Sequence, residues 1–385
     1  MLSSFPRSLV GIVALAVVFT GLLYVYRRIV RDVWPRLWHQ ILAAVVFVSL
    51  TVGSAVLVVK ARLSGDVFLG GLSFLWAGFL LHVIMVLAFI DAGKIVQSRF
   101  AKPSEPDPKR RHFLRKAVAA TAASTGAALT GLGTYRAYSP AQAHDVPLRL
   151  QGLPRTLDGL SIVQLTDVHV GAMLQDRYLG DLVERANALS PDVLVITGDL
   201  VDGTVGRLGS IVAKLQGLRA RYGTYFVTGN HDYYSGADMW CTSLTGLGLN
   251  VLRNRSVLIG NGNDAFNLAG VDDWGSPWLG EREYDLNAAL KDCRPEVPTV
   301  LLAHQPSNFD EVARRGVALQ LSGHTHGGQT FPATLIAGGL WGDRSVGLSK
   351  TAESMLYVSR GCGFVGPPLR LGSPPELPRF ILSPA

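Results

Sequence analysis

The sequence is poor in cysteine, and the cysteines that it has are far apart. Cys241, Cys293 and Cys362 are the only three in 385 residues, and no two of them have the C-x-x-C spacing. This gives no support to a cysteine zinc site or to a disulfide framework. Phosphate-binding glycine loops are also missing, because no glycine run has the spacing of a Walker or a dinucleotide-binding motif. The chemistry of the chain must therefore come from other side chains.

Charged residues are scarce and unevenly divided along the chain. Only 17% of the residues are Asp, Glu, Lys or Arg, whereas 48% are hydrophobic. Residues 1–144 contain 16 Lys and Arg against 5 Asp and Glu, a net charge of +11, whereas residues 145–385 contain 20 against 24, a net charge of −4. The second part therefore lacks the basic surface that nucleic-acid binding requires, and we expect no nucleic-acid partner.

Three runs in residues 1–100 are almost wholly apolar and uncharged: residues 9–26, 41–59 and 67–90. Each is close to the roughly 20 residues that cross a bilayer as a helix. Basic residues cluster after the first run and after the third, and only Lys60 and Arg62 lie between the second and the third. By the positive-inside rule, this pattern predicts a multi-pass membrane protein whose amino terminus faces away from the cytoplasm.

Residues 101–144 are predicted to form a basic linker and a further helix. The segment 109–116, KRRHFLRK, resembles a twin-arginine export signal, although it follows three spans instead of starting the chain. The run 117–135 behind it is rich in Ala, Gly and Thr, and we interpret it as a fourth, retained span. A cytoplasmic amphipathic or buried helix is the alternative. Four spans would place the remainder of the chain on the extracytoplasmic side.

Residues 145–385 have the composition of one globular domain, in which strand and helix patterns alternate. Apolar runs predict strands at 161–165, 193–196 and 224–227, with helical periodicity between them and a β-rich part after them. Such units imply parallel pairing, which brings the loops at the carboxyl ends of the strands to one edge of the sheet. Five of the six histidines from His144 onward lie in such loops, which indicates a shared site.

Each of these loops carries groups that bind metal ions. The five fragments are DVH at 167–169, GDLVD at 198–202, GNHD at 229–232, a histidine at 304 and GHTH at 323–326. Mixed carboxylate, imidazole and amide ligands suit Mn²⁺, Fe or Zn²⁺ and disfavour an all-oxygen Ca²⁺ site. Two such divalent ions would bind the oxygens of a phosphate ester and turn a bridging water into hydroxide. The fragments therefore predict a metal site, and hydrolysis of a phosphate ester is a reaction that such ions can catalyse.

In this order, the five fragments resemble the calcineurin-like metallophosphoesterases. The later YVSRGCG (357–363) and PPELPRF (374–380) look like the end of a bacterial, membrane-linked branch of that family. The resemblance implies an α/β fold, a four-layer α/β/β/α sandwich, preceded by a helical transmembrane region in the bacterial cytoplasmic membrane. It also implies two metal sites that share one bridging carboxylate, the first formed by Asp167, His169, Asp199 and His326 and the second by Asp199, Asn230, His304 and His324.

Three further residues beside these ligands are candidates for a catalytic role. The family pattern leaves His231 outside the ligand set, so we expect it to protonate the leaving alkoxide. Asp232 is the candidate that orients His231, and Asp202 is a candidate for supporting a ligand from behind. For both aspartates, a solvated surface position is an equal alternative.

Three functions are compatible with this sequence. The first is a membrane-anchored phosphodiesterase that acts on a lipid-linked, nucleotide or envelope substrate. The second is a phosphomonoesterase, such as a protein phosphatase, on the same scaffold. The third is a non-catalytic membrane sensor of a phosphorylated ligand, which the loss of a metal ligand would favour, and none of the expected ligands is lost. We therefore expect an enzyme whose partners are a phosphate ester and the lipid bilayer.

Overall fold

The computed structural model describes residues 7–34, 36–64, 67–100, 107–262, 264–275, 283–351 and 354–385. The chain divides into two compact units. One contains residues 1–63 and 68–133, and the other contains residues 134–385 together with 64–67. The start of the predicted linker, residues 101–106, lies outside the described residues.

The first unit is helical, as the long apolar runs predict. Its helices in the described part of the chain are α1 (Arg7–Val25), α2 (Leu37–Ser64), α3 (Val67–Ser98) and α4 (Pro108–Ala137). Val25 of α1, Val83 and Leu87 of α3 and Ala122 of α4 are buried against one another. A polar contact also joins α3 to α4, since Nδ1 of His82 lies 2.9 Å from Oγ1 of Thr130.

Two helical segments among the described residues are long and apolar enough to cross a membrane, Leu37–Lys60 and Gly70–Ser98. They overlap the second and third predicted spans. The first predicted span, 9–26, falls on α1, but the side chains of its first residues lie outside the described part. The predicted fourth span, 117–135, is helical within α4. It is not among the described segments that are long and apolar enough to cross a membrane, so its membrane crossing stays a prediction.

The second unit contains two six-stranded sheets in its described residues. Its strands are β1 (Gln142–Leu150), β2 (Ser161–Leu165), β3 (Val193–Thr197), β4 (Thr224–Val227), β5 (Asn250–Val251), β6 (Arg255–Asn261), β7 (Asp264–Gly270), β8 (Thr299–Leu302), β9 (Leu319–Ser322), β10 (Gly347–Thr351), β11 (Ser354–Val358) and β12 (Glu376–Pro384). The helices of this unit are α5 (Asp176–Ala188), α6 (Val205–Val212), α7 (Asn230–Tyr234), α8 (Ala237–Gly246), α9 (Leu286–Leu290), α10 (Phe309–Arg314) and α11 (Ala333–Trp341).

The pairing within each sheet is parallel at the centre, as the βαβ pattern predicts. The first sheet has the order β1-β12-β2-β3-β4-β5, and the second has the order β10-β11-β9-β8-β7-β6. Strands β2 to β5 pair in parallel, and so do β7, β8, β9 and β11. Antiparallel pairing occurs between β12 and β2 and at the hairpins β6–β7 and β10–β11.

The core has three apolar layers because side chains alternate across each strand. Ile162 of β2 faces the layer between the two sheets, whereas Val163 and Leu165 face the layer under α5, α6 and α8. In the second sheet, Leu302 faces the layer between the sheets, and Leu301 faces the layer under α9 and α10. Helices therefore cover the outer face of each sheet, and the predicted four-layer α/β/β/α sandwich is confirmed.

Candidate metal centre

The five predicted fragments follow β2, β3, β4, β8 and β9 directly, and several of their residues adopt an unusual backbone conformation. The φ angles of Asp167, His169, Asp199, His324 and His326 are all positive, between 50° and 70°. Such conformations are uncommon for residues other than glycine and cost about 1–3 kcal/mol each, so a fold retains them mainly where they position functional groups. This feature marks three of the five loops that the sequence motifs identify, those after β2, β3 and β9.

A first cluster is formed by Asp167, His169 and His326, whose potential ligand atoms all lie within 4.8 Å of one another. Nε2 of His326 lies 3.3 Å from Oδ1 of Asp167 and 3.1 Å from Nε2 of His169. All three side chains are buried. Asp167 is held from behind, because the backbone N–H of His324 donates to its Oδ1 at 3.0 Å and the Thr166 hydroxyl donates to its Oδ2 at 2.9 Å.

A second cluster is formed by Asp199, His304 and His324 within the same 4.8 Å limit. Nε2 of His304 lies 3.2 Å from Oδ2 of Asp199. The other ring nitrogen of His304, Nδ1, lies 2.9 Å from the carbonyl oxygen of Thr197. A carbonyl only accepts hydrogen bonds, so Nδ1 carries a proton and Nε2 of the neutral ring presents its lone pair to the cluster.

Asp199 lies between the two clusters. Its Oδ2 is 3.2 Å from Nε2 of His304 in the second cluster and 3.7 Å from Nε2 of His169 in the first. Its Oδ1 accepts the backbone N–H of His231 at 2.8 Å, which fixes the direction of the carboxylate. The carboxylate therefore occupies the position that the resemblance predicts for a ligand shared by two ions.

Two buried lone pairs in this region have no hydrogen-bond donor among the described residues. They belong to Oδ1 of Asn230 and Nε2 of His304. A buried polar atom without a partner costs about 1–3 kcal/mol, so such atoms are rare in a native fold. Each is a suitable donor atom for a divalent transition-metal ion, and the residues therefore fit the predicted metal.

The carboxylates of the site attract positive charge. Burial opposes the charged form of His169, but the nearby carboxylates, Asp202 above all, together outweigh burial and raise the pKa of His169 to about 9. Burial likewise opposes charge on His304, and the carboxylates around it, led by Asp199, raise its pKa well above the ordinary value. Burial would raise the pKa of Asp199, but the neighbouring imidazoles, led by that of His304, together lower it. Protons on the imidazoles can supply this positive charge, and so can metal ions that replace those protons.

His231 lies beside the clusters and remains accessible. Its side chain is 25% exposed, and its ring centroid is 4.7 Å from that of His169. Nδ1 of His231 lies 2.5 Å from Oδ1 of Asp202, and the other oxygen of Asp202 lies 3.2 Å from Nδ1 of His169. Asp202 thus contacts both His231, the predicted acid, and His169, a predicted metal ligand. This contact to His169 fits the sequence-based suggestion that Asp202 supports a ligand from behind.

Asp232 does not orient His231 in this structure, contrary to the prediction from sequence. The Asp232 side chain is fully buried and accepts three backbone N–H groups, those of Gly229 at 2.8 Å, Leu200 at 3.0 Å and Val201 at 3.2 Å. It faces away from His231 because the first turn of α7 directs it toward the start of the helix and the loop after β3. Asp232 therefore joins two of the loops that carry predicted ligands.

Arg370 is a buried residue of the site that no motif indicated. Its guanidinium donates to the carbonyl oxygens of Gly363 at 3.1 Å and Arg360 at 2.8 Å, and its Nη2 lies 2.9 Å from Nδ1 of His326. Burial lowers the pKa of Arg370 to about 10. Arginine only donates hydrogen bonds, so Nδ1 of His326 accepts and the remaining proton of the neutral ring lies on Nε2. Ligation through Nε2 therefore requires His326 to lose that proton or to turn its ring away from Arg370.

Comparison with known proteins decides the family. A sequence profile of the calcineurin-like phosphoesterases matches residues 160–328, which contain all ten predicted site residues. Over 95% of its length, the chain is 33% identical to a protein of Danio rerio named "Transmembrane protein with metallophosphoesterase domain", of which it covers 87%. The chain belongs to the calcineurin-like phosphoesterase family. Members of this family generally hydrolyse phosphoric esters and bind two divalent metal ions.

Other relatives extend the comparison. An uncharacterized metallophosphoesterase of Helicobacter pylori is 36% identical to this metallophosphoesterase over 66% of each chain. Relatives thus occur in a fish and in a bacterium, so the predicted restriction to a bacterial branch is not confirmed. Among solved structures, a 5'-nucleotidase precursor from Thermus thermophilus is 17% identical, with a TM-score of 0.35 over 58% of this chain and 54% of that chain.

The close packing behind Asp167 yields a testable prediction. A Cβ atom at Gly323 would lie 2.1 Å from Oδ2 of Asp167 and 2.3 Å from Oγ1 of Thr166. The Gly323→Ala substitution should therefore displace the carboxylate and weaken metal binding by about 10–100-fold, as loss of the groups that orient a ligand does. The measurement is a metal-binding titration of the purified full chain.

Gly246→Ala is the matched control, because nothing lies within 4 Å of a Cβ atom built at Gly246. It should bind metal as the wild type does. Unchanged metal affinity in folded Gly323→Ala would mean that the position of Asp167 does not matter for metal binding.

Proposed function

We propose that the chain is a membrane-anchored phosphodiesterase that depends on two divalent metal ions, Mn²⁺, Fe or Zn²⁺. The observation that carries this proposal is the carboxylate of Asp199 between two clusters of buried imidazoles and carboxylates. When bound, the ions supply Lewis-acid charge to the phosphoryl oxygens and lower the pKa of the attacking water toward neutrality. The residues that would hold them are Asp167, His169, Asp199 and His326 at one site and Asp199, Asn230, His304 and His324 at the other.

The residues of the chain would perform the proton transfer to the leaving group. An alkoxide is a poor leaving group because its conjugate acid has a high pKa, so it needs a proton in the transition state. His231 is partly exposed beside the clusters, and Asp202 holds its Nδ1. This leaves Nε2 of His231 as the atom that delivers the proton, while Asp202 keeps the ring in position.

The membrane anchor supports a diester as the substrate. Phospholipids are phosphodiesters, and a domain joined to membrane-spanning helices meets their head groups at a high effective concentration. The described part of the chain contains two helices that are long and apolar enough to cross a bilayer, and its Danio rerio relative is named a transmembrane protein.

A direct assay tests the proposed activity. The full chain in detergent, supplied with Mn²⁺, should hydrolyse bis(nitrophenyl) phosphate with a kcat/KM at least about tenfold higher than that for nitrophenyl phosphate. Such a ratio corresponds to about 1.4 kcal/mol of selective transition-state stabilisation. The opposite ratio would identify a phosphomonoesterase, and the absence of hydrolysis by protein with a full metal content would exclude the enzyme.

The role of His231 predicts a dependence on the leaving group. Nitrophenolate leaves without a proton, whereas an alkoxide does not, and general acid catalysis contributes about 10²–10⁴-fold. His231→Ala should therefore keep its metal ions and much of its activity on a nitrophenyl diester, while its activity on an alkyl diester falls by a factor in that range.

His304→Ala is the contrasting variant, because Nε2 of His304 faces Asp199 inside a cluster. It should lose metal and activity on both esters alike. If His231→Ala kept its metal ions and lost activity equally on the two esters, His231 would not be the acid.

The proposal includes a topology in which the catalytic domain lies outside the cytoplasm of a bacterial cell. It is supported by the basic residues that follow α1 and by those at the start of α4, where the segment 109–116 is largely exposed. An alkaline phosphatase fused after Ala385 should be active, and a green fluorescent protein fused there should stay dark. Bright fluorescence together with an inactive phosphatase would place the domain in the cytoplasm.

A further inference from the structure

The short helix α11 exposes an apolar face to solvent. Leu335, Ile336 and Leu340 are 66%, 60% and 59% exposed, and Leu348 on the following strand is 42% exposed. In the described part of residues 134–385, three of the four exposed leucines and isoleucines lie on this one helix. The nine residues of α11 include no charged side chain. Large apolar side chains gathered in one exposed patch indicate a binding surface, whereas scattered ones do not.

Helix α11 lies beside the metal centre. The ring centroid of Trp341, at the end of α11, is 6.3 Å from that of His324, and the two rings meet edge to face. The helix begins seven residues after His326, so the same segment carries two predicted ligands and α11. Ala337 is almost fully buried and lies one turn before Trp341, so these two side chains share the inner side of the helix. The exposed apolar side chains lie on the other side, and a ligand bound there would lie about one helix diameter, roughly 10–12 Å, from the substrate site.

We propose that the exposed face of α11, formed by Leu335, Ile336 and Leu340, inserts into the interfacial layer of the lipid bilayer that anchors the chain. This inference rests on the proposed function and specifies its substrate class. A metal centre held at the bilayer surface acts on phosphoesters in lipid head groups, and the acyl chains of such a substrate remain in the membrane.

The bilayer fits this face better than a second copy of the chain does. A stable protein interface uses roughly 20–30 residues from each partner, and this face offers three large side chains. Insertion into a bilayer needs no such area here, because the apolar helices in the first unit already tether the domain and make a weak contact effective.

Apolar contact, and not attraction between opposite charges, would hold this domain at the bilayer. Residues 145–385 carry a net charge of −4, so the domain is not drawn to anionic lipids by its overall charge. Binding through α11 should therefore occur on neutral phosphatidylcholine and be insensitive to salt, which distinguishes it from electrostatic adsorption.

Spectroscopy tests the contact without using activity. The full chain with Cys293→Ser and Ile336→Cys is placed in phosphatidylcholine nanodiscs, and an environment-sensitive fluorophore is attached at position 336. The remaining cysteines, Cys241 and Cys362, are buried. We expect blue-shifted emission and quenching by lipids that carry a spin label near the head group. Met239→Cys is the matched control, because Met239 is 64% exposed on α8, and its label should not be quenched.

Equal quenching at the two positions, or none at position 336, would overturn the proposal. So would a change at position 336 that depends on protein concentration and not on the quencher, because it would show that a second copy covers the face.

A substrate comparison tests the functional consequence. The variant with Leu335→Glu, Ile336→Glu and Leu340→Glu is assayed on bilayer-embedded phosphatidyl-nitrophenol and on soluble bis(nitrophenyl) phosphate, which release the same leaving group. We expect a loss of about tenfold or more on the embedded ester, given the transfer free energy of three large apolar side chains, and less than about twofold on the soluble ester.

Equal losses on both esters, or no loss on the embedded one, would contradict the role of α11 in reaching lipid substrates. A wild-type chain that hydrolyses neither ester while its label at position 336 is still quenched would instead refute the proposed activity and leave the membrane contact standing.

Discussion

The burial of several carboxylates in one small volume is the constraint on which the rest of the structure depends. Asp167 and Asp199 are almost completely withdrawn from water, and like charges in such a place destabilise the fold unless positive charge and N–H donors accompany them. The chain supplies the backbone N–H of His324 to one carboxylate and that of His231 to the other. Imidazoles provide further compensation, and two divalent ions would complete it.

This constraint explains the backbone around the site. Left-handed conformations at five of the predicted ligands direct side chains from three of the five loops, those after β2, β3 and β9, into one volume, which regular strand ends would not achieve. Glycine at position 323 lets the loop after β9 approach Asp167 more closely than a Cβ atom would allow. Asp232 then joins the loops after β3 and β4 through backbone N–H groups. The parallel strands bring the five loops to a common edge of the sheets, and these local features set the distances between the side chains of the site.

The sequence predicted the central strands and the loops after them because buried parallel strands appear as short apolar runs followed by polar motifs. It did not predict β1, whose residues are largely exposed at the sheet edge and so lack an apolar pattern. The direction of the Asp232 side chain depends on the start of α7, which chain spacing does not specify. Arg370 reaches His326 across 44 residues, and no local pattern encodes such a contact. The structure exposes the apolar residues of α11, a feature that no sequence motif marked.

The most direct test of this account is a Mn²⁺ titration of the full chain, followed by electron paramagnetic resonance, in wild type and in Asp199→Asn. Because one carboxylate lies between the two clusters, the wild type should bind two ions whose spins are coupled, and the substitution should weaken the binding of both. A wild type that binds one ion or none would contradict the two-metal centre. An Asp199→Asn variant that retains two coupled ions with unchanged affinity would contradict the shared position of Asp199.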